Sequence, residues 1–156
     1  MIPALQLSIR AGVAAILALV AAQLLHLQHP LYAMISAVVI TDLDATQTPK
    51  LALPRLAGTL IGSALGAAIN TLLLPSLWTI APGIMIAMFV SHLISMPAAR
   101  VAGYVCGIVL LDHGDSPWSY ALFRMIETAL GIAAAMCVSI VPKLLRPAVP
   151  NDSKES

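Results

Sequence analysis

The residues of this sequence that could do chemistry recur in the same order in its two halves. Charged residues are otherwise scarce, so a repeated arrangement of acid and base indicates a structural or functional role. In each half, two aspartates precede an arginine that opens a long apolar segment. These residues are Asp42, Asp44 and Arg55 in the first half, and Asp112, Asp115 and Arg124 in the second.

Two interpretations of this arrangement stay open. An arginine can hold a carboxylate through two parallel hydrogen bonds, and an aspartate in a membrane can take part in proton coupling. The two arginines would then attract an anionic substrate. Alternatively, each aspartate pairs with its arginine and pins a short apolar segment to its neighbour, because ionisable groups at membrane depth usually pair.

Glu127 breaks the symmetry, because the matching position in the first half is Gly58. It follows Arg124 by one helical turn, where the two side chains can meet. We interpret it either as an ion-pair partner that allows Arg124 to be partly buried or as a protonatable switch in a pathway. His92 lies in the fourth apolar segment and is a candidate for lining a cavity. The predicted substrate-binding residues are therefore Asp42, Asp44, Arg55, His92, Asp112, Arg124 and Glu127.

Other kinds of site lack their sequence signatures. The four histidines are scattered, and Cys106 and Cys137 lie in apolar runs, so no metal-ligand spacing is present. Neither a P-loop nor a Ser-His-Asp arrangement occurs. The net charge is +1, without a stripe of Lys and Arg that could contact phosphates. We expect no enzyme activity, no metal or other cofactor, and no nucleic-acid partner.

The composition is that of a membrane protein. Of the 156 residues, 60% are hydrophobic and 10% are charged, whereas soluble domains have about 25% charged residues. Proline, glycine and charged residues separate six apolar segments, at 11–27, 31–41, 53–74, 77–95, 101–111 and 119–141. We predict an all-α integral membrane protein with a six-helix transmembrane module at 1–142 and a disordered cytoplasmic tail at 143–156.

The second and fifth segments are shorter than the ~20 residues that cross a hydrocarbon core. Each follows a proline and ends at an aspartate. We expect neighbouring helices to shield them, or the segments to stop partway through the membrane beside a polar cavity.

An internal repeat relates the two halves, at about 9–75 and 77–142. The pattern R-x-x-x-T-x-[IL]-G occurs at 55–62 and again at 124–131. The short segments upstream also align, with Ala33, Ser36, Ala37, Val39 and Asp42 opposite Gly103, Cys106, Gly107, Val109 and Asp112. Because each repeat holds three spans, the halves should lie in the membrane in opposite orientations, as in many transporters.

The distribution of charge predicts the topology independently. If the N-terminus is cytoplasmic, every lysine and arginine except Arg124 falls on the inside, as the positive-inside rule requires. Gly58, Gly62 and Gly66 recur at four-residue spacing and predict that another helix packs closely there. Because six short helices enclose little volume, we also expect a homodimer or higher homo-oligomer.

Three stretches of the first half, at 32–42, 46–54 and 55–62, resemble the fusaric acid resistance protein-like (FUSC) family. That family belongs to the aromatic acid exporter superfamily, to which plant aluminium-activated malate transporters are related. The stretch 124–131 resembles the family's sixth helix. The resemblance implies transport of small organic anions, with export of aromatic carboxylates across the inner (plasma) membrane as the expected activity. A passive anion channel and a non-catalytic membrane anchor or assembly subunit stay open as alternatives.

Overall fold

A computed structural model of the chain describes residues 2–42, 47–73, 76–94, 96–111 and 116–140. These residues form helices without strands, so the predicted all-α fold is confirmed. The six described helices are α1 (Ile2–Leu24), α2 (Pro30–Ile40), α3 (Gln47–Leu72), α4 (Leu77–Ile94), α5 (Met96–Leu111) and α6 (Pro117–Ile140). Asp44, Asp112, Asp115 and the predicted tail at 143–156 lie outside the described residues.

Four of the described helices, α1, α3, α4 and α6, are long and apolar enough to cross a membrane. The other two are apolar but shorter, with 11 residues in α2 and 16 in α5. Large apolar side chains such as Leu72, Trp78 and Leu93 are exposed on the outside, whereas the buried positions are mostly alanine, glycine and serine. Small residues let helices pack closely, and large outward-facing ones suit contact with lipid.

Three helices begin well before the apolar segments expected from the sequence. Helix α1 begins at Ile2 rather than at residue 11, α3 at Gln47 rather than at 53, and α5 at Met96 rather than at 101. Pro97 falls in the first turn of α5, where a helix does not use the backbone N–H that proline lacks. Pro54 lies inside α3; neighbouring helices make such a position tolerable in a membrane protein.

The two halves of the chain are interleaved rather than side by side. The short helix α2 packs against α6, and the short helix α5 packs against α3. Each short helix therefore lies on the third helix of the other half. Around this centre, α1 contacts α2 and α6 while α4 contacts α5 and α3, and α3 also packs against α6. Every helix contact in one half has a counterpart in the other.

The glycine stripe of α3 forms the interface with α5. A side-chain carbon added at Gly58, Gly62 or Gly66 would meet, respectively, Ala98 and Val101, the backbone of Ala102, and Val109. Contacts advance along both helices together, so α3 and α5 run parallel. The stripe is thus used within the chain, to bring a neighbouring backbone close.

Gly131 of α6 is used in the same way against α2. A side-chain carbon there would meet the backbone of Ala33, just as one at Gly62 would meet Ala102. Gly131 follows Gly62 in the sequence by the same number of residues as Ala102 follows Ala33. This common offset aligns Ala33 of the first half with Ala102 of the second. The alignment of Ala33 with Gly103 expected from the sequence is therefore wrong by one residue.

A buried hydrogen bond fixes the direction of the two central helices. The hydroxyls of Thr48, at the start of α3, and Ser139, at the end of α6, lie 3.0 Å apart. The start of one helix therefore meets the end of the other, and α3 and α6 run antiparallel.

Candidate anion-binding site

Arg55 projects from α3 into a buried position between the short helices. Its side chain is 8% exposed. The guanidinium donates to the Ser36 hydroxyl of α2 at 3.3 Å and lies over the ring of Tyr104 from α5, with 5.3 Å from Cζ to the ring centroid. Among the described residues, its Nε has no hydrogen-bond partner. A cation over an aromatic face is stabilised by the ring's negative face.

Arg124 occupies the corresponding position on α6 and is more completely enclosed. Its side chain is 3% exposed, and its Cζ lies 3.2 Å from the ring centroid of Tyr32 on α2. Its Nε is also without a hydrogen-bond partner within the described part of the chain. Each arginine thus lies over a tyrosine of a short helix from the other half of the chain. Arg55 of α3 lies over Tyr104 of α5, and Arg124 of α6 lies over Tyr32 of α2.

Glu127 is fully buried, but not as a close partner of Arg124. Its Oε1 accepts the backbone N–H of His29 at 2.9 Å, and its Oε2 has no hydrogen-bond partner. Arg124 and Glu127 interact electrostatically. Among the described residues, however, no nitrogen–oxygen contact between the two is short enough for an ion pair. The backbone N–H is available because His29 precedes the first helical turn of α2, which opens with Pro30.

Aromatic rings surround this part of the molecule. The ring of His29 lies edge-on to Tyr32, at 5.9 Å between centroids, and to Tyr120 of α6, at 5.3 Å. Tyr104 lies within electrostatic reach of both Arg55 and Arg124. The two arginine sites therefore share one aromatic environment.

In the first half, the described residues do not form the predicted pair of aspartate and arginine. Arg55 contacts Ser36 and Tyr104, while the backbone carbonyl of Asp42 accepts a hydrogen bond from Arg10 of α1 at 3.3 Å. Asp42 therefore joins the end of α2 to α1. The partners proposed for Arg124, Asp112 and Asp115, lie outside the described residues.

His92 lies apart from Arg55 and Arg124. It is exposed in the last turn of α4 and lines a cavity together with Arg100 of α5. The structure thus brings together Arg55, Arg124 and Glu127 among the predicted site residues, and not His92.

The tyrosines and His29 are functional candidates that the sequence analysis missed. Each short segment contains one tyrosine, Tyr32 or Tyr104, and this was the available signal. Which arginine each tyrosine meets depends on the interleaving of the halves, which spacing along the chain does not reveal.

The arrangement can attract an anion. Among the described residues, neither buried guanidinium has a carboxylate within ion-pair distance, so opposite charge repays its desolvation only in part. Cation–π contact offsets only about 0.5–2 kcal/mol of this cost. A small anion bound beside the arginines would add negative charge there and accept hydrogen bonds from the Nε groups, which have no partner among the described residues.

Long apolar helices with lipid-compatible outer faces define a multi-pass α-helical membrane protein. Within that class, the chain belongs to the fusaric acid resistance protein-like family, which it matches over residues 16–138. Membership of this family indicates a role in membrane transport or resistance. No curated protein and no solved structure matches the chain.

Proposed function

We propose that the protein exports small organic anions, above all aromatic carboxylates, across the inner (plasma) membrane. The observation that carries the proposal is the pair of buried arginines, each over a tyrosine ring and each with an unpartnered Nε. A guanidinium can hold a carboxylate through two hydrogen bonds. The tyrosine and histidine rings would stack on or edge against the aromatic part of such a substrate.

Glu127 is proposed as the protonatable group of this pathway. It is buried beside Arg124, one of its oxygens is held by the His29 backbone, and the other is free to take a proton or a donor. Ionisable groups inside membrane segments commonly mark proton relays. Protonation would remove the negative charge that competes with a substrate carboxylate for Arg124.

The proposed mechanism rests on two inverted three-helix repeats. The matched helix contacts, the parallel pair α3–α5 and the antiparallel crossing of α3 and α6 all support it. Substrate sites of inverted-repeat transporters lie where the repeats meet. Here that meeting place is the centre formed by α3, α6 and the two short helices. A homo-oligomer remains part of the proposal.

Accessibility of single cysteines tests the inverted orientation. A cysteine in the segment 44–50 should react only from the cytoplasmic side, and one in the segment 112–118 only from the opposite side. A variant with a cysteine in the segment 74–76, expected outside, provides a control. If cysteines at 44–50 and 112–118 react from the same face, the halves are not inverted.

Flux into and out of liposomes tests the anion site. Arg124→Gln should abolish transport of a labelled aromatic carboxylate, while the protein still inserts and remains folded. Arg124→Lys should recover only part of the activity, because lysine keeps the charge but loses the planar fork. Adding Asp112→Asn to Arg124→Gln should restore nothing. If this double variant transports normally, Arg124 is a structural clamp and the proposal fails for that half.

The same liposomes separate the alternatives. A passive channel would give anion flux that follows voltage and ignores a pH gradient. An anchor or assembly subunit would give no flux with any of a panel of aromatic and aliphatic carboxylates.

A further inference from the structure

A second group of basic residues lies away from the arginine site, around a cavity between α4 and α5. The cavity has a volume of about 560 Å³. Its lining residues are Met88, His92, Pro97, Ala99 and Arg100. The first two come from the last turns of α4 and the others from the first turns of α5, so the cavity lies where the chain reverses direction.

This cavity lies at the level of the membrane surface. The 18 residues of α4 make a helix about 27 Å long, close to the thickness of a hydrocarbon core. The two ends of α4 therefore reach the two membrane surfaces. His92 is in its last turn, at the depth of the lipid headgroups.

The polar groups of the cavity are suited to an anion. Arg100 carries a guanidinium, and His92 has an N–H donor in either protonation state. Both side chains are exposed, and within the described part of the chain neither makes a hydrogen bond or ion pair. The start of α5 adds the positive end of a helix dipole. Among the described residues that line the cavity, none is a carboxylate.

The apolar groups of the same cavity point to a lipid rather than a soluble anion. Met88, Pro97 and Ala99 line it beside the two donors, so a ligand there meets hydrocarbon on one side and positive charge on the other. With no carboxylate among its described lining residues, the cavity has no group there to hold the ammonium of a zwitterionic headgroup. Basic pockets between transmembrane helices bind anionic headgroups in this way.

We infer that the cavity binds an anionic phospholipid, with its phosphate on Arg100 and His92 and the start of an acyl chain along Met88 and Pro97. Under the proposed topology, this site faces the cytoplasmic leaflet. The inference is independent of anion transport, since it uses neither of the buried arginines and is tested without flux.

Thermal unfolding of the purified full-length protein in detergent is the test. Phosphatidylglycerol should raise the unfolding temperature in a saturable way, whereas phosphatidylcholine should not. Arg100→Gln should weaken the apparent affinity for phosphatidylglycerol about tenfold, as expected for the loss of one charge-assisted contact, and His92→Gln should weaken it less. Lys50→Gln is the matched control, because Lys50 is exposed near the start of α3 and does not line the cavity. It should leave the affinity within about twofold, less than the loss of one hydrogen bond.

Three results would overturn the inference. Equal losses in Arg100→Gln and Lys50→Gln would mean general attraction to the protein surface. Stabilisation by inorganic phosphate or glycerol phosphate at the concentration where the lipid saturates would mean a soluble-anion site. Unchanged affinity in both Arg100→Gln and His92→Gln, each still folded, would mean that the lipid binds elsewhere.

Discussion

The surroundings of Arg55 and Arg124 differ although the two residues occupy the same place in the two halves. Both side chains are buried, and both lie over a tyrosine of a short helix. One turn later the first half has Gly58 and the second has Glu127. Gly58 lies against Ala98, which belongs to α5, and Glu127 accepts from His29, which comes just before α2.

The length of the short helices explains this difference. Ala98 and His29 are equivalent by the offset that relates Gly62 to Gly131. Because α5 begins at Met96, the backbone at Ala98 is already helical. It packs against Gly58 of α3 and leaves no room for a side chain there. The shorter α2 begins only at Pro30, so the His29 N–H lies outside the hydrogen bonds of the helix and donates to the Glu127 carboxylate instead. A helix that starts later thus creates a polar position in one half only.

The largest expected effect is at the helix contacts that the two halves share. Gly62→Leu and Gly131→Leu should each prevent folding, because a side chain would collide with the backbone of Ala102 or Ala33. The corresponding alanine variants should cost about 1–3 kcal/mol of unfolding free energy, as overpacking usually does. Folded yield in detergent and thermal unfolding measure both.

Gly12→Leu is the control for these variants, since Gly12 is exposed on α1 and an added side-chain carbon meets nothing within 4 Å. It should fold normally. If Gly62→Leu folds while Gly131→Leu does not, the two interfaces are not equivalent and the comparison of the halves fails.

An intermediate effect is expected where the halves differ. Glu127→Gly makes the second half like the first and removes the acceptor of the His29 N–H, so it should cost about 1.5–3 kcal/mol, the usual worth of a hydrogen bond to a charged group. Glu127→Gln keeps an acceptor oxygen and should cost less than half as much. Its flux should no longer respond to a pH gradient, because the amide does not take up a proton. Retained pH-gradient dependence in Glu127→Gln would show that the proton is carried elsewhere.

The smallest effect should come from the two tyrosines. Tyr32→Leu should destabilise the protein by about 1–2 kcal/mol and Tyr104→Leu by about 0.5 kcal/mol, because cation–π attraction weakens with distance and exposure. The distances are 3.2 Å for Tyr32 and 5.3 Å for Tyr104, and Tyr104 is partly exposed. Tyr32→Phe keeps the ring and should resemble the parent protein in thermal unfolding. Equal losses at both positions would contradict the closer enclosure of Arg124.

The sequence predicted the helices better than it predicted their partners. Apolar length and proline at residue 30 located α2 almost to the residue, since a proline at the first helical position matches the helix start. The start of α5 was placed too late because Pro97 and Arg100 read as a boundary. Arg100 is compatible with a helix there because its side chain is exposed.

The site was predicted only in part for a different reason. Arg55, Arg124 and Glu127 were predicted as site residues because each is a charged residue in an apolar segment, and the structure groups them. Pairing each arginine with the aspartate before it assumed that neighbours in sequence are neighbours in space. For Arg55 the contacts among the described residues are instead Ser36 and Tyr104, and Tyr104 lies in the opposite half of the chain. The aspartates predicted to pair with Arg124 lie outside the described residues.

Interleaving also bears on how the protein is made. When the ribosome has released α1, α2 and α3, the surface of α2 that packs on α6 still has no partner, and the glycine stripe of α3 still awaits α5. The first half is therefore left incomplete in the membrane until α5 and α6 have been synthesised. A chain that stops before α6 leaves α2 without its principal support.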